Sequence, residues 1–307
     1  MNALSLSFNN HLFRCSQLGK LMVGVNPALT PNQERTLIAL REKMKASKIT
    51  DKQIQTYGDL LAKKNQKPDL SASVKTHLSD IHKGVAFGRD NHITNKYLDK
   101  GIQVEEKSIS LYTRVTGKLF MKNEKHFSND FIKGTPDNIQ GKVRDIKSSW
   151  SFKTFPLYAE ETPTKDYEWQ VQGYMELTGL KEAELVYCLI DTPFKIVEDE
   201  LRRLDWKENI FNHLGEVREE CIDLVTETVS NLIYTEEGLE DFCSQSTSVH
   251  KEWFSNFHEV PELLRVKVFH FQYDKTMIEA LYEQIKKCRE HLNKLTLSMA
   301  DRLELMA

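Results

Sequence analysis

Glycine (13 residues) and proline (8 residues) are scarce in this 307-residue chain, which excludes collagen-like repeats and long disordered architectures. Cysteine is scarce as well. Cys15, Cys188, Cys221, Cys243 and Cys288 are scattered and odd in number. With no CxxC pair and no Cys/His cluster, neither a zinc nor an iron–sulfur site is indicated. The sequence therefore reads as a reduced, cytoplasmic protein with buried thiols. No apolar run approaches the roughly 20 residues that a membrane helix needs. The N-terminal stretch lacks the basic start, apolar block and small-residue cleavage site of a secretory signal. The histidines form no HxxxH or HxH pair, and no GxGxxG, GxxxxGK[ST] or GxSxG is present. Nucleotide-binding loops, a fused helicase motor and a hydrolase elbow are thereby excluded.

What is present is an ordinary globular composition, 40% hydrophobic and 28% charged, with enough chain for a sizeable core. The net charge of −3 conceals an asymmetry. Residues 1–155 hold 26 Lys and Arg against 14 Asp and Glu, and residues 156–307 hold 16 against 31. A basic half suits a phosphate-binding surface, although sequence halves need not be surface halves.

Periodicity predicts a mostly helical region over residues 1–99. Thr30-Pro31 reads as a helix start carrying Leu37, Leu40 and Met44. Thr50-Asp51 starts a second helix with Ile54, Tyr57, Leu60 and Leu61, broken at Pro68. Ser71 caps a third with Val74, Leu78 and Ile81. Gly101 precedes a short helix over 102–113. Strands follow at 118–121, 131–139 and 143–147, then an aromatic loop over 150–163 that either packs its own rings or stacks DNA ends. A helix over 167–177 ends near Gly179, and 183–190 is an apolar strand of the kind buried on both faces. Residues 198–260 read as an acidic helical insertion. A strand at 265–273 and a long helix capped by Asp274 complete the chain. The fold class is α/β, a mixed β-sheet core flanked by helices, read as a single domain over 1–307 with its core at 100–197.

The chemistry concentrates in Gly134-Thr-Pro-Asp137 and Val143-Arg-Asp145-Ile-Lys147. Residues two apart on a strand share a face, so Asp145 and Lys147 point one way and Ile146 the other, into the core. A tight connection through Gly141 makes the two strands neighbours and brings Asp137 within reach of Asp145. Two close carboxylates repel unless a cation lies between them. Oxygen ligands suit a hard ion, Mg²⁺ or Mn²⁺, which activates water and neutralises charge at phosphorus. A lysine beside it positions the attacking water or stabilises the transition state. Each fragment alone is commonplace: a bare Asp-x-Lys is usually a surface ion pair, and Gly-x-Pro-Asp usually a turn. Their order and spacing carry the signal.

In that order these residues resemble the PD-(D/E)xK nuclease superfamily with its restriction-endonuclease-like fold. Trp169-Gln170-Val-Gln172-Gly-Tyr174 is similar to the Gln-x-x-x-Tyr motif of the branch holding YqaJ-like, lambda-exonuclease-like and RecB-type nucleases. Lys100-Gly101-Ile-Gln-Val-Glu105 resembles that branch's Gly-x-x-x-Glu element. Helical spacing sets Glu105 with Ile102 and Ile109 on an inward face, leaving Glu106 as the reserve. The resemblance implies that Glu105, Asp137, Asp145 and the Ile146 carbonyl hold Mg²⁺, with Mn²⁺ as a substitute, and that Lys147 positions water. Gln170 and Tyr174 support the site or touch DNA, and Arg14 and Ser16 meet DNA phosphate. The implied activity is a metal-dependent DNA exonuclease of the phage-recombination type, acting in the cytoplasm (of a bacterial host if phage-encoded). A single-strand annealing recombinase and further copies of the chain are its implied partners, with no membrane. An endonuclease, or a non-catalytic nucleic-acid-binding protein of the same fold, are the alternatives. The resemblance does not reach residues 1–99 and 198–260.

Overall fold

The computed structural model describes residues 6–24, 29, 31–65, 69–89 and 95–305. The expected start at Thr30 and break at Pro68 lie outside them. In chain order the elements are β1 (Phe13–Arg14), α1 (Leu18–Met22), α2 (Pro31–Lys45), α3 (Asp51–Asn65), α4 (Ala72–Phe87) and α5 (Lys96–Thr116). Then come β2 (Phe127–Ser128), β3 (Ile132–Gly134), β4 (Val143–Ser148), α6 (Lys165–Thr178), β5 (Glu182–Cys188) and α7 (Phe194–Glu208). The last are α8 (Ile222–Ser230), α9 (Glu236–Gln245), β6 (Val266–Gln272) and α10 (Lys275–Leu305). Among the described residues no helix is long and apolar enough to cross a membrane.

The chain forms two compact units. The first comprises Met1–His11, Gly19–Asp90 and Ala280–Ala307 and is helical. The Ser71 hydroxyl accepts the Val74 N–H at the start of α4, as predicted, and Val74 and Leu78 are fully buried. In α10, Leu281, Ile285, Cys288 and Leu292 line one buried face. Leu37 and Leu40 of α2 are buried, whereas Met44, Ile54 and Leu61 stay exposed, so the apolar stripes of α2 and α3 are only partly covered.

The second unit, Leu12–Leu18 and Asn91–Glu279, holds the six strands found among the described residues. β4 pairs parallel with β5, and β5 pairs antiparallel with β6. β1 and β3 run parallel, with β2 antiparallel on the other side of β3. Both three-stranded sheets are thus mixed. One face of the larger sheet buries Ile146, Val186 and Cys188 against Val104, Leu111 and Tyr112 of α5. The insertion has its own core, in which Val197, Leu201, Val225, Val229, Leu239 and Phe242 pack together. Cys15, Cys188 and Cys288 are buried; Cys221 and Cys243 are only half-buried, and all five are free.

Three predicted elements differ. The helix expected from residue 102 begins at Lys96 and runs through Gly101, capped by the Asn95 side chain. Residues 118–121 are not a strand. Leu119 and Met121 are exposed and Phe120 is buried, so the alternation is real, but side chains replace the ladder: Asn138 donates to the Met121 carbonyl and Gln140 accepts the Met121 N–H. The strand expected over 131–139 stops at Gly134, because Pro136 has no N–H to offer and its carbonyl is taken by the Asn123 side chain.

Arg144 and Glu184 join β4 to β5 through a buried ion pair, Nε to Oε2 at 2.7 Å. Tyr112 donates to the same carboxylate at 3.0 Å. Burial raises the Glu184 pKa, but Arg144, Tyr112 and Lys142 outweigh it and hold the group below the usual range. Its stabilisation is therefore present above the ordinary carboxylate pKa and is lost as pH falls through the lowered one. Glu184→Gln leaves Arg144 buried without its counter-charge and should destabilise by about 3 kcal/mol, against about 1 kcal/mol for Tyr112→Phe. Urea unfolding followed by circular dichroism checks this; equal stability of wild type and Glu184→Gln would contradict it.

Candidate active site

β3 and β4 do not pair as neighbouring strands as expected but belong to different sheets, linked by an isolated bridge between Asn138 and Arg144, and the turn between them places the first acid. Gly141 takes a left-handed conformation (φ 74°), and Asn138 and Arg144 exchange backbone hydrogen bonds across the turn at 2.8 and 3.2 Å. Asp137 is thereby held beside β4, where its Oδ2 accepts the Ile146 N–H at 2.6 Å. The buried Asn138 side chain fixes the turn, accepting from Arg144 and donating to Gln140 and the Met121 carbonyl.

Asp145 and Lys147 share the other face of β4, and the Ile146 side chain is buried against α5, as strand alternation requires. Asp145 is buried at 1% exposure. Lys147 Nζ lies 2.8 Å from Asp145 Oδ2 and donates to Gln170 Oε1 at 3.4 Å. Gln170 Nε2 donates to Asp145 Oδ1 at 3.0 Å and to the Tyr174 hydroxyl at 3.1 Å. Gln170 and Tyr174 lie four apart on α6, so one helix face meets both the acid and the amine. Thr164 caps this helix, and Gly179 (φ 76°) ends it.

The electrostatics are those of two acids short of positive charge. Burial first, and then the Asp145 charge, push Asp137 up to about 7, although the Ile146 N–H opposes the shift. For Lys147 burial acts downward, but Asp145 and Asp137 outweigh it and hold the ammonium above its usual value. It stays charged at neutral pH, which suits it to orienting water or a phosphate oxygen and unsuits it to accepting a proton. Burial and the Asp145 charge also raise the Tyr174 phenol and the Cys15 thiol, keeping both neutral.

The remaining expected residues fall into two places. Glu105 lies on the inward-turned part of α5, near enough for its charge to act on Asp137, but its carboxylate pairs with Lys122 at 3.0 Å. The helical-face argument for it needs correcting. Ile102 is 66% exposed, because the buried stripe of α5 runs through Lys100, Val104, Ser108 and Leu111, about half a turn away. Glu106 is exposed. Arg14 and Ser16 line a cavity of about 320 Å³ with His126, Lys133, Thr135 and Tyr174. Sequence reasoning missed Lys133 and His126. No sequence signal marks Lys133, since only the register of β1 on β3 sets it opposite Arg14.

Among the described residues no three His, Cys, Asp or Glu side chains come together as a metal-binding group. The pair Asp137 and Asp145 nevertheless fits a hard cation. Asp145 Oδ2 is buried and meets the Lys147 ammonium at 2.8 Å. Oxygen ligands, a raised acid and a buried carboxylate served by one cation are the conditions that a divalent ion relieves.

The sequence matches no protein-family profile and no curated protein. In three dimensions it is similar to a phage-related exonuclease from Haemophilus somnus 129PT, with a TM-score of 0.57 and 21% identity over 94% of this chain and 97% of that one. It is also similar to the alkaline exonuclease LHK-Exo of Laribacter hongkongensis, with a TM-score of 0.50 and 10% identity over 97% and 96% of the two chains. LHK-Exo in complex with dAMP gives 0.51, also at 10% identity and the same coverage. The chain has the fold of these exonucleases, the mixed-sheet α/β architecture that the motif resemblance implies.

The raised Asp137 makes a stability prediction. Its folded pKa lies above the unfolded value, so the metal-free protein loses stability as pH rises from about 4 to 7 through this group. Asp137→Asn removes that loss and keeps an acceptor for the Ile146 N–H. With EDTA present, the variant should be more stable than wild type at pH 8, by on the order of 1 kcal/mol or more, with the difference shrinking at pH 5. Thermal melts at the two pH values check it; a variant less stable at pH 8 would contradict it.

Proposed function

We propose that this chain is a divalent-metal-dependent deoxyribonuclease that digests linear duplex DNA from an end. The observation that carries this reading is the meeting of Asp137, Asp145 and Lys147 beside one strand, with Gln170 bonded to both Asp145 and Lys147. Asp137 and Asp145 would hold Mg²⁺, or Mn²⁺ in its place, with Glu105 and the Ile146 carbonyl as further ligands. Such an ion lowers the pKa of a bound water and neutralises charge at the scissile phosphate. Lys147 orients the attacking water and stabilises negative charge on the phosphate oxygens. Gln170 fixes Asp145 and Lys147 in one geometry, so neither has to reorganise when substrate arrives.

The exonuclease form is supported by the cavity beside Tyr174. Arg14 and Lys133 stand opposite each other in register, an arrangement of like charges that is destabilising unless an anion lies between them. With Ser16 they form a pocket suited to a terminal phosphate, next to Gln170 through Tyr174. A free end is then anchored while the adjacent linkage meets the acids. The shared fold with a phage-related exonuclease and an alkaline exonuclease is consistent with this. A single-strand annealing recombinase as partner, and a closed assembly of copies, belong to the same reading.

The test is digestion of end-labelled linear duplex, single strand and covalently closed plasmid, each with Mg²⁺ and with EDTA. Linear duplex should be digested only with the metal, and the closed circle spared. Asp145→Ala and Lys147→Ala should each lower the rate by about 10³-fold or more with unchanged circular dichroism. Wild-type rates in either variant would overturn the assignment, and cleavage of the closed circle would make the enzyme an endonuclease.

A further inference from the structure

Helix α7 opens the insertion, and its two faces differ. Ile196, Val197 and Leu201 are buried in the core. The opposite face borders an open cavity of about 850 Å³ lined by Lys96, Arg202, Arg203, Trp206 and Lys207, together with the acids Asp199 and Glu200. Trp206 is 87% exposed, so this indole contributes little to folding. A second cavity of about 190 Å³, lined by Trp150, Phe152 and Lys153, shares Glu200 and Thr228 with the first. Together they form one groove running from α7 to the loop that directly follows β4.

The groove floor is built from paired charges. Lys96 Nζ lies 2.9 Å from Glu200 Oε2 and 4.6 Å from the Trp150 ring centroid. Glu200 also pairs with Arg203. Tyr97 packs edge-on against Trp150 at 5.0 Å, and the fully buried Lys100 donates to the Trp150 carbonyl at 2.9 Å. Arg202 in turn pairs with Glu198 and Asp199 at exposed positions, where water and salt keep such pairs weak and a phosphate can take the place of the carboxylates; the lining as a whole holds Lys96, Lys153, Arg202, Arg203 and Lys207 against Asp199 and Glu200, beside two exposed rings, Trp206 and the half-exposed Phe152.

We infer that this groove binds single-stranded DNA, the strand left unpaired as its complement is digested. The inference rests on the nuclease reading. Exposed aromatic faces stack on bases, which a duplex conceals and a single strand offers. Cations spaced along the groove meet the phosphates. Its far end is lined by Trp150, Phe152 and Lys153, which follow Lys147 closely along the chain. The insertion thereby gains a role that its acidic composition does not announce.

The test is fluorescence anisotropy of labelled oligo-dT with EDTA present, so that binding is read without cleavage. Trp206→Ala should weaken binding by roughly 5- to 100-fold. Arg202→Ala with Lys207→Ala should flatten the dependence of log affinity on log salt by about 1.4, the value for two lost phosphate contacts on a single strand. All three side chains project from the surface, so the variants keep the fold. Unchanged affinity in Trp206→Ala and an unchanged salt slope in the double variant overturn the inference, including the case where Trp206→Ala alters self-association instead. Trp206-dependent binding in a protein that never cleaves DNA with Mg²⁺ leaves this groove standing and refutes the nuclease reading alone.

Discussion

The arrangement depends on one hydrogen bond, from the Ile146 N–H to the Asp137 carboxylate at 2.6 Å. It ties a turn residue to the middle of a core strand. Because Ile146 lies between Asp145 and Lys147, the same bond brings the second acid and the amine to Asp137. The cost is electrostatic. Two close carboxylates, one of them fully buried and the other partly so, repel, and Lys147 alone does not neutralise them, as the raised Asp137 shows. The fold thus holds a pair of acids whose repulsion a bound cation would relieve, which is what the proposed metal role requires.

Helix α6 completes the arrangement from the other side, and its close approach requires glycine. A Cβ at Gly173 would lie 2.7 Å from Leu18 Cδ1 and 3.0 Å from Cys15 Sγ, and one at Gly134 would lie 2.6 Å from Tyr174 Cε1. Without side chains at these two positions, α6 packs against the segment after β1 and against β3. Gln170 and Tyr174 thereby stand between the acids and the Arg14–Lys133 cavity, so the proposed end-binding and hydrolytic parts share one helix.

Much of this was legible in the residues. The Asp-x-Lys strand, its alternation, the tight turn at Gly141 and the i, i+4 pair on α6 follow from local spacing, which sequence displays directly. What was illegible depends on partners far along the chain. Residues 118–121 alternate like a strand, but Asn138 and Gln140 take their backbone groups before another strand can. Gly101 looks like a boundary, yet Asn95 caps α5 one and a half turns earlier, and burial decides in favour of a continuous helix. Lys133 was invisible because only the register of two very short strands sets it opposite Arg14. The mixed face of α7 was hidden by composition, since an acidic average over 198–260 conceals three cations, Arg202, Arg203 and Lys207, and an exposed indole that line the same groove.

Direct titration of Mn²⁺ into the metal-free protein by calorimetry tests the central claim most closely. The account predicts a metal-binding event in wild type that is lost in Asp145→Asn while the fold, read by circular dichroism, is kept. Identical stoichiometry and affinity in both proteins would contradict it, because the ion would then be bound somewhere other than between these two acids.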